Sequence, residues 1–159
     1  MLNLKKVTLQ YSPYEDRIRM MAEPEGGEPV AFLLTLRMSR ALAGMLCNHL
    51  ERALPPSSPV SRDMQLACRQ RDAEWKLQPS EPVSFSSSMY NYLPEKFDLS
   101  CSPQSAAIKF PAGDDIAELR MNLIELRQLL SVLCRIFRKA GWPMDAWPEW
   151  FITEGPVSN

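Results

Sequence analysis

From residue 4 to 11 apolar and polar side chains alternate. Val7, Leu9 and Tyr11 fall on one side of an extended chain, and Lys6, Thr8 and Gln10 on the other. A period of two is the pattern of a half-buried strand. It returns over 17–22, where Ile18 and Met20 oppose Arg17 and Arg19, and a third apolar run over 30–34 carries Phe32 and Leu34. From residue 38 the spacing changes: "MSRALAGMLCNHLERA" places Leu42, Leu46 and Leu50 on one helical stripe. Short loops, "SPYED" and "EPEGGEP", favour antiparallel pairing of the three strands, since parallel pairing needs long crossovers.

The same pattern is written again. "ELRQLLSVLCRIFRKA" (125–140) matches "MSRALAGMLCNHLERA" (38–53) at Arg40/Arg127, Leu42/Leu129, Leu46/Leu133, Cys47/Cys134 and Ala53/Ala140. Upstream, "FDLSCSPQSAAIKFPA" matches "VTLQYSPYEDRIRMMA" at Leu9/Leu99, Ser12/Ser102, Pro13/Pro103, Ile18/Ile108 and Ala22/Ala112. The two alignments differ by three residues, a deletion that falls at a turn where "GDDI" replaces "EPEGGEP". The repeat decides an ambiguity. Taken alone, "DDIAELRMNLIELRQLL" reads as one helix opening at Asp114. Aligned to the first copy, 115–121 is a strand with Leu119 and Met121 inward, and the helix begins at Asn122, counterpart of Thr35. Glu125 completes a capping box. The second inward set is Phe97, Leu99, Cys101, Ile108, Phe110, Leu119 and Met121.

The expected fold is therefore α+β, a tandem duplication of an antiparallel three-stranded meander plus helix in a pseudo-two-fold arrangement. Residues 1–53 form the first unit and 95–141 the second, ending at Gly141 as C-cap with Pro143 beyond. Residues 54–94 are a linker with a short helix, whose apolar side holds Met64, Cys68 or Ala67, and Trp75, followed by an irregular surface loop. Residues 142–159 are a Trp-rich tail, and the whole makes one globule. The second helix is apolar over a wide arc, with Leu129, Val132 and Ile136 beside its main stripe. That surplus must meet the first helix, where Ala43 and Gly44 permit close approach, or a second copy of the chain.

Composition adds exclusions. Eighteen basic and nineteen acidic residues nearly cancel, so no global field selects nucleic acid or membrane. No apolar run is long enough to span a bilayer, and "MLNLKKVTLQ" lacks a signal-peptide core. The expected location is cytoplasmic. Cys47, Cys68, Cys101 and Cys134 stand far apart without a metal-ligand spacing, and Cys47 and Cys134 read as a repeated packing position. The single His49 has no designated nucleophile or carboxylate partner and reads as structural. Asp114 and Asp115 read as turn residues. No nucleotide-binding or nucleophile-elbow motif occurs. Catalytic, cofactor and metal residues are all expected to be none, and the chain to be no enzyme.

Glu15, Asp16 and Arg17 at a strand start, with Leu34, Thr35 and Arg37 before a helix, resemble an uncharacterised bacterial family marked by E-D-R and L-T-R-R motifs; Leu36 departs from the second motif. The order of meander then helix is also similar to the head of DNA end-joining scaffold proteins, which dimerise through helices. These features lead to a non-enzymatic interaction or assembly protein, docking on a protein partner or a second copy. Trp142 is expected to be structural. The interface is assigned to Trp147, Trp150 and Phe151 of the tail and Leu129, Val132 and Ile136 of the helix, because tryptophan is enriched among interface hot spots. The alternative is single-stranded nucleic-acid binding on a PUR/Whirly-like topology, with Lys6, Arg17, Arg19, Lys109 and Arg120 on the open sheet face. That reading requires stacking aromatics, and the outward positions supply none.

Overall fold

The computed structural model describes residues 1–56 and 58–152. Three strands, β1 (Leu2–Ser12), β2 (Arg17–Pro24) and β3 (Val30–Leu34), run antiparallel and lead into helix α1 (Leu36–Ala53). Helix α2 (Pro59–Trp75) and the short strand β4 (Tyr90–Tyr92) follow. A second antiparallel meander, β5 (Asp98–Ser102), β6 (Ser105–Ala112) and β7 (Asp115–Asn122), leads into α3 (Leu123–Ala140), and a one-turn helix α4 (Glu149–Ile152) closes the described chain. The fold is α+β, with one curled, mixed sheet of seven strands in the order β4-β3-β2-β1-β7-β6-β5.

Local chemistry explains the boundaries. The β1–β2 turn is made by Asp16 in a left-handed conformation (φ 51), which a short side chain able to bond locally tolerates. Thr35 caps α1 by accepting from the Met38 N–H. Asn122 accepts from the Glu125 N–H while Glu125 reaches back to the Asn122 N–H, the full capping box. Gly141 ends α3 in the left-handed region. Gly113 (φ 63) and Asp114 form the β6–β7 turn, and Asp115 opens β7. The strand expected at 115–121 is thus present, and its register sets Leu119 opposite Ile108.

Two features of the sheet lie outside the sequence reading. The meanders join through a parallel seam, β1 against β7, with Leu2, Asn3 and Leu4 beside Ala117, Glu118 and Leu119. The irregular loop expected after the helix of the 54–94 linker contains β4, which adds in parallel to β3. Curling brings the ends of the sheet together inside: Phe32 of β3 lies 5.4 Å from Phe110 of β6, and Tyr92 of β4 stacks on Phe32 at 5.3 Å. A continuous core holds Ile18, Phe32, Ile108 and Phe110 from the sheet with Leu46, Leu50, Leu130, Leu133 and Phe137 from α1 and α3.

Several expectations are corrected here. Cys101, assigned inward, is exposed. The wide apolar arc of α3 is not surplus: Ile136 is buried, and Leu129 and Val132 pack half-buried against the core, beside Leu4, Val7 and Leu9 of β1. Helix α2 is turned over. Leu66, Gln70 and Ala73 face inward, while Met64, Cys68 and Trp75 face solvent. Gln70 is buried because its amide has work there: Nε2 donates to the Arg127 carbonyl at 2.8 Å, and Gln128 Nε2 returns a bond to the Ala73 carbonyl at 3.0 Å.

Candidate interaction sites

The tail lies against the protein's own helices. Trp142 donates its indole N–H to Asp16 Oδ1 at 3.0 Å and sets its edge against Tyr11 and Phe137. Trp147 packs edge-on against Phe137 at 5.4 Å and is buried, its N–H without a partner among the described residues. Trp150 is buried and donates to Glu51 of α1, and Phe151 is half-buried between the two indoles. Of the residues assigned to a docking surface, Trp147, Trp150 and Ile136 are buried in the chain's own core, which corrects the assignment for these three, while Phe151, Leu129 and Val132 are half-buried. The apolar rings of the tail are satisfied within the chain: Trp147 sits on Phe137 of α3, α4 lies against α2, and Trp150 bonds to Glu51 of α1. Residues 153–159 of the expected tail lie outside the described residues.

The cations assigned to nucleic acid are dispersed. Residues 77–89 run as a strap over the outer face of β1–β3. The Val83 N–H donates to Thr8 Oγ1 at 2.9 Å, and Val83 and Met89 form a small second core with Met21 and Ala31. Arg19 is sandwiched, with its guanidinium 4.1 Å from the Phe85 ring centre and 2.9 Å from Glu15. On the other half of the sheet Lys109 and Arg120 both converge on Glu118, at 3.8 and 2.9 Å. Arg17 lies instead in the groove at the β1–β2 turn, and Lys6 lines a different cleft beside α3.

That groove, of about 680 Å³, unites two stretches that the sequence sets apart: Glu15, Asp16 and Arg17 on one wall, Thr35, Leu36, Arg37 and Arg40 on the other. Asp16 accepts from the Tyr11 hydroxyl at 2.5 Å and from Trp142. The Tyr11 hydrogen bond, followed by that from Trp142, holds its carboxyl below the ordinary range; the same contact with Asp16 raises the Tyr11 phenol. Arg40 is paired with Asp145 of the tail. The groove holds arginines and two carboxylates already engaged, Asp16 by Tyr11 and Trp142 and Glu15 by Arg19 and Ser12. His49 Nε2 lies 3.1 Å from the Ser105 carbonyl, a structural contact. Burial raises the thiols of Cys47 and Cys134, so neither is a ready thiolate. No cluster of metal-ligating side chains occurs among the described residues.

The feature that sequence reasoning misplaced is the outer face of α2. Val60, Met64 and Trp75 are 75%, 65% and 88% exposed, and Cys68 and Arg71 between them are exposed as well. Trp75 is the only one of the four tryptophans not buried. The stripe was legible as an amphipathic pattern. What sequence did not carry was the direction it faces, because the buried side is led by a polar residue, Gln70. No helix among the described residues is long and apolar enough to cross a membrane.

Comparison of the chain with protein families, with curated proteins and with solved structures finds no match.

Proposed function

We propose that this chain is a non-enzymatic protein-interaction protein, and that α2 is its docking element. The observation that carries the reading is the solvent-facing stripe of Val60, Met64, Cys68 and Trp75 on a helix whose other side is anchored by Leu66, Gln70 and Ala73. Val60, Met64 and Cys68 on one exposed face, ending in a large exposed indole at Trp75, are the composition of an interface rather than of an ordinary solvated helix face. Rigid anchoring of α2 supports this, because a preorganised helix loses little entropy on binding.

The same reading includes an internal duplication with an approximate two-fold axis. Supporting it are two identical runs of strand, strand, strand, helix, and the sequence matches Arg40/Arg127 and Cys47/Cys134. The parallel β1–β7 seam fits an axis running along the strands, since rotation about such an axis preserves strand direction. The nucleic-acid alternative draws no support from a stacking platform. Phe85 is engaged by Arg19, and the outward positions of β5–β7, among them Asp98, Ser100, Lys109, Ile116, Glu118 and Arg120, hold no aromatic ring among the described residues.

A photoreactive side chain in place of Trp75, activated in cells that make the protein, tests the proposal. The expected result is a crosslink to a discrete protein species, reduced when Met64 is changed to Asp. If Trp75 yields no protein crosslink while the chain is folded and abundant, the function is not docking through α2.

A further inference from the structure

We infer that the occupant of α2 is a second copy of the same helix, laid antiparallel across a two-fold axis between Ala67 and Cys68. This rests on the reading of α2 as the docking element. The exposed stripe is symmetric in its spacing. Its members are Val60, Met64, Ala67, Cys68, Arg71 and Trp75, separated by four, three, one, three and four residues, an order that reads the same from either end. A two-fold interface joins one patch to itself, so each residue must find its complement within the same patch. Here Val60 meets Trp75 of the other copy, Met64 meets Arg71, and Ala67 meets Cys68. The smallest side chains fall at the axis, where the helices come nearest, and the indole at each end covers the small Val60.

Charge agrees with the pairing. Within α2, Lys76 is bonded to Asp72 at 2.8 Å. Asp63 and Arg71 are exposed and have no hydrogen-bond or ion-pair partner among the described residues. In the antiparallel arrangement Arg71 of each copy comes beside Asp63 of the other, which gives the one cation inside the stripe a counter-ion twice over. The chain's net charge of −1 offers little general repulsion between copies. The stripe would bury on the order of 400 Å² per copy, about half of what a standard interface buries per partner. The association is accordingly weak and reversible, and depends on concentration.

Sedimentation equilibrium with the full chain tests the association. A monomer–dimer equilibrium is expected, weakened at least about tenfold by Met64→Asp, a substitution at an exposed site that leaves the fold intact. Arg71→Glu weakens it too, and adding Asp63→Arg to Arg71→Glu restores it. Mild oxidation tests the geometry. A disulfide-linked dimer forms through Cys68, at the axis, and is lost in Cys68→Ser but not in Cys101→Ser, although both thiols are exposed. A chain that stays monomeric up to roughly millimolar concentration, a dimer indifferent to Met64→Asp, or equal crosslinking through Cys101 overturns the inference. A monomeric chain whose Trp75 position crosslinks to a different protein overturns the second copy alone and leaves the docking role of α2 standing.

Discussion

The indole N–H of Trp150 donates to Glu51 Oε1 at 2.9 Å, tying α4, the last described helix, to the final turn of α1. Ninety-nine residues separate the two groups, and the bond closes the tail over the helices it covers. Trp150→Ala should lower unfolding stability by about 3–5 kcal/mol, the range for removing a buried aromatic. Trp150→Phe keeps a ring but orphans Glu51, at a cost of about 1–3 kcal/mol. Urea titration followed by circular dichroism separates the two. A Trp150→Ala variant as stable as the native chain would mean that the tail does not belong to the core.

The Asp16 carboxylate holds Trp142 and Tyr11, and its folded pKa is depressed below the ordinary 3.8. A carboxyl with a depressed folded pKa stabilises fully above its unfolded pKa and loses that contribution as pH falls through the folded value. The melting-temperature gap between the native chain and Asp16→Asn should therefore be constant from neutrality to about pH 5 and shrink below about pH 4. A gap that widened on acidification would refute the assignment.

Arg127 is 5% exposed, its Nη1 has no partner, and no carboxylate accepts from it among the described residues. Burial, then the charge of Arg69, lowers its pKa to about 10. A buried unpaired charge is a liability, and replacing it with an apolar side chain of like volume is neutral or favourable. Arg127→Met is expected to match or exceed native stability, by up to roughly 2 kcal/mol. The unfolded chain binds more protons than the folded one above pH about 10, so native stability rises there and the gap to Arg127→Met narrows. Denaturation of both proteins at neutral and alkaline pH measures this, and a large loss on Arg127→Met would point to a counter-ion held by the native protein.

Thr8 Oγ1 accepts the Val83 N–H and pins the strap. Thr8→Val removes the acceptor while keeping the shape, and should cost about 1–3 kcal/mol locally. The expected signature is faster amide exchange across residues 80–89 with little change in α1 or α3. Uniformly faster exchange would show the strap to be integral to the global core.

Much of the fold is visible in short-range pattern. Leu119 and Met121 alternate with Glu118 and Arg120, and Asn122 with Glu125 spells its own cap, so β7 and the start of α3 follow from neighbours in the chain. What stayed hidden depends on partners far away. Tyr90, Asn91 and Tyr92 are too short a run to signal a strand despite two β-favouring tyrosines, and β4 forms where β3 offers it an edge to pair with. Hydrophobicity alone points α2 the wrong way round. The choice is made by the Gln70 amide and the Arg127 carbonyl, a hydrogen bond across 57 residues. Trp147 and Trp150 have the composition of a docking segment and of a core plug alike, and only the trough beside Phe137 distinguishes them.

The parallel seam between β1 and β7 has a consequence for biosynthesis. Leu2, Asn3 and Leu4 wait for Ala117, Glu118 and Leu119 as sheet neighbours, so the first strand leaves the ribosome with one edge bare. At an elongation rate of about 5–20 residues per second, that edge stays open for several seconds while the intervening chain is made. Folding cannot finish vectorially from the N-terminus. The nascent first meander keeps an exposed strand edge and an apolar helix face until the second meander is made, so the seam closes only once β7 has left the ribosome.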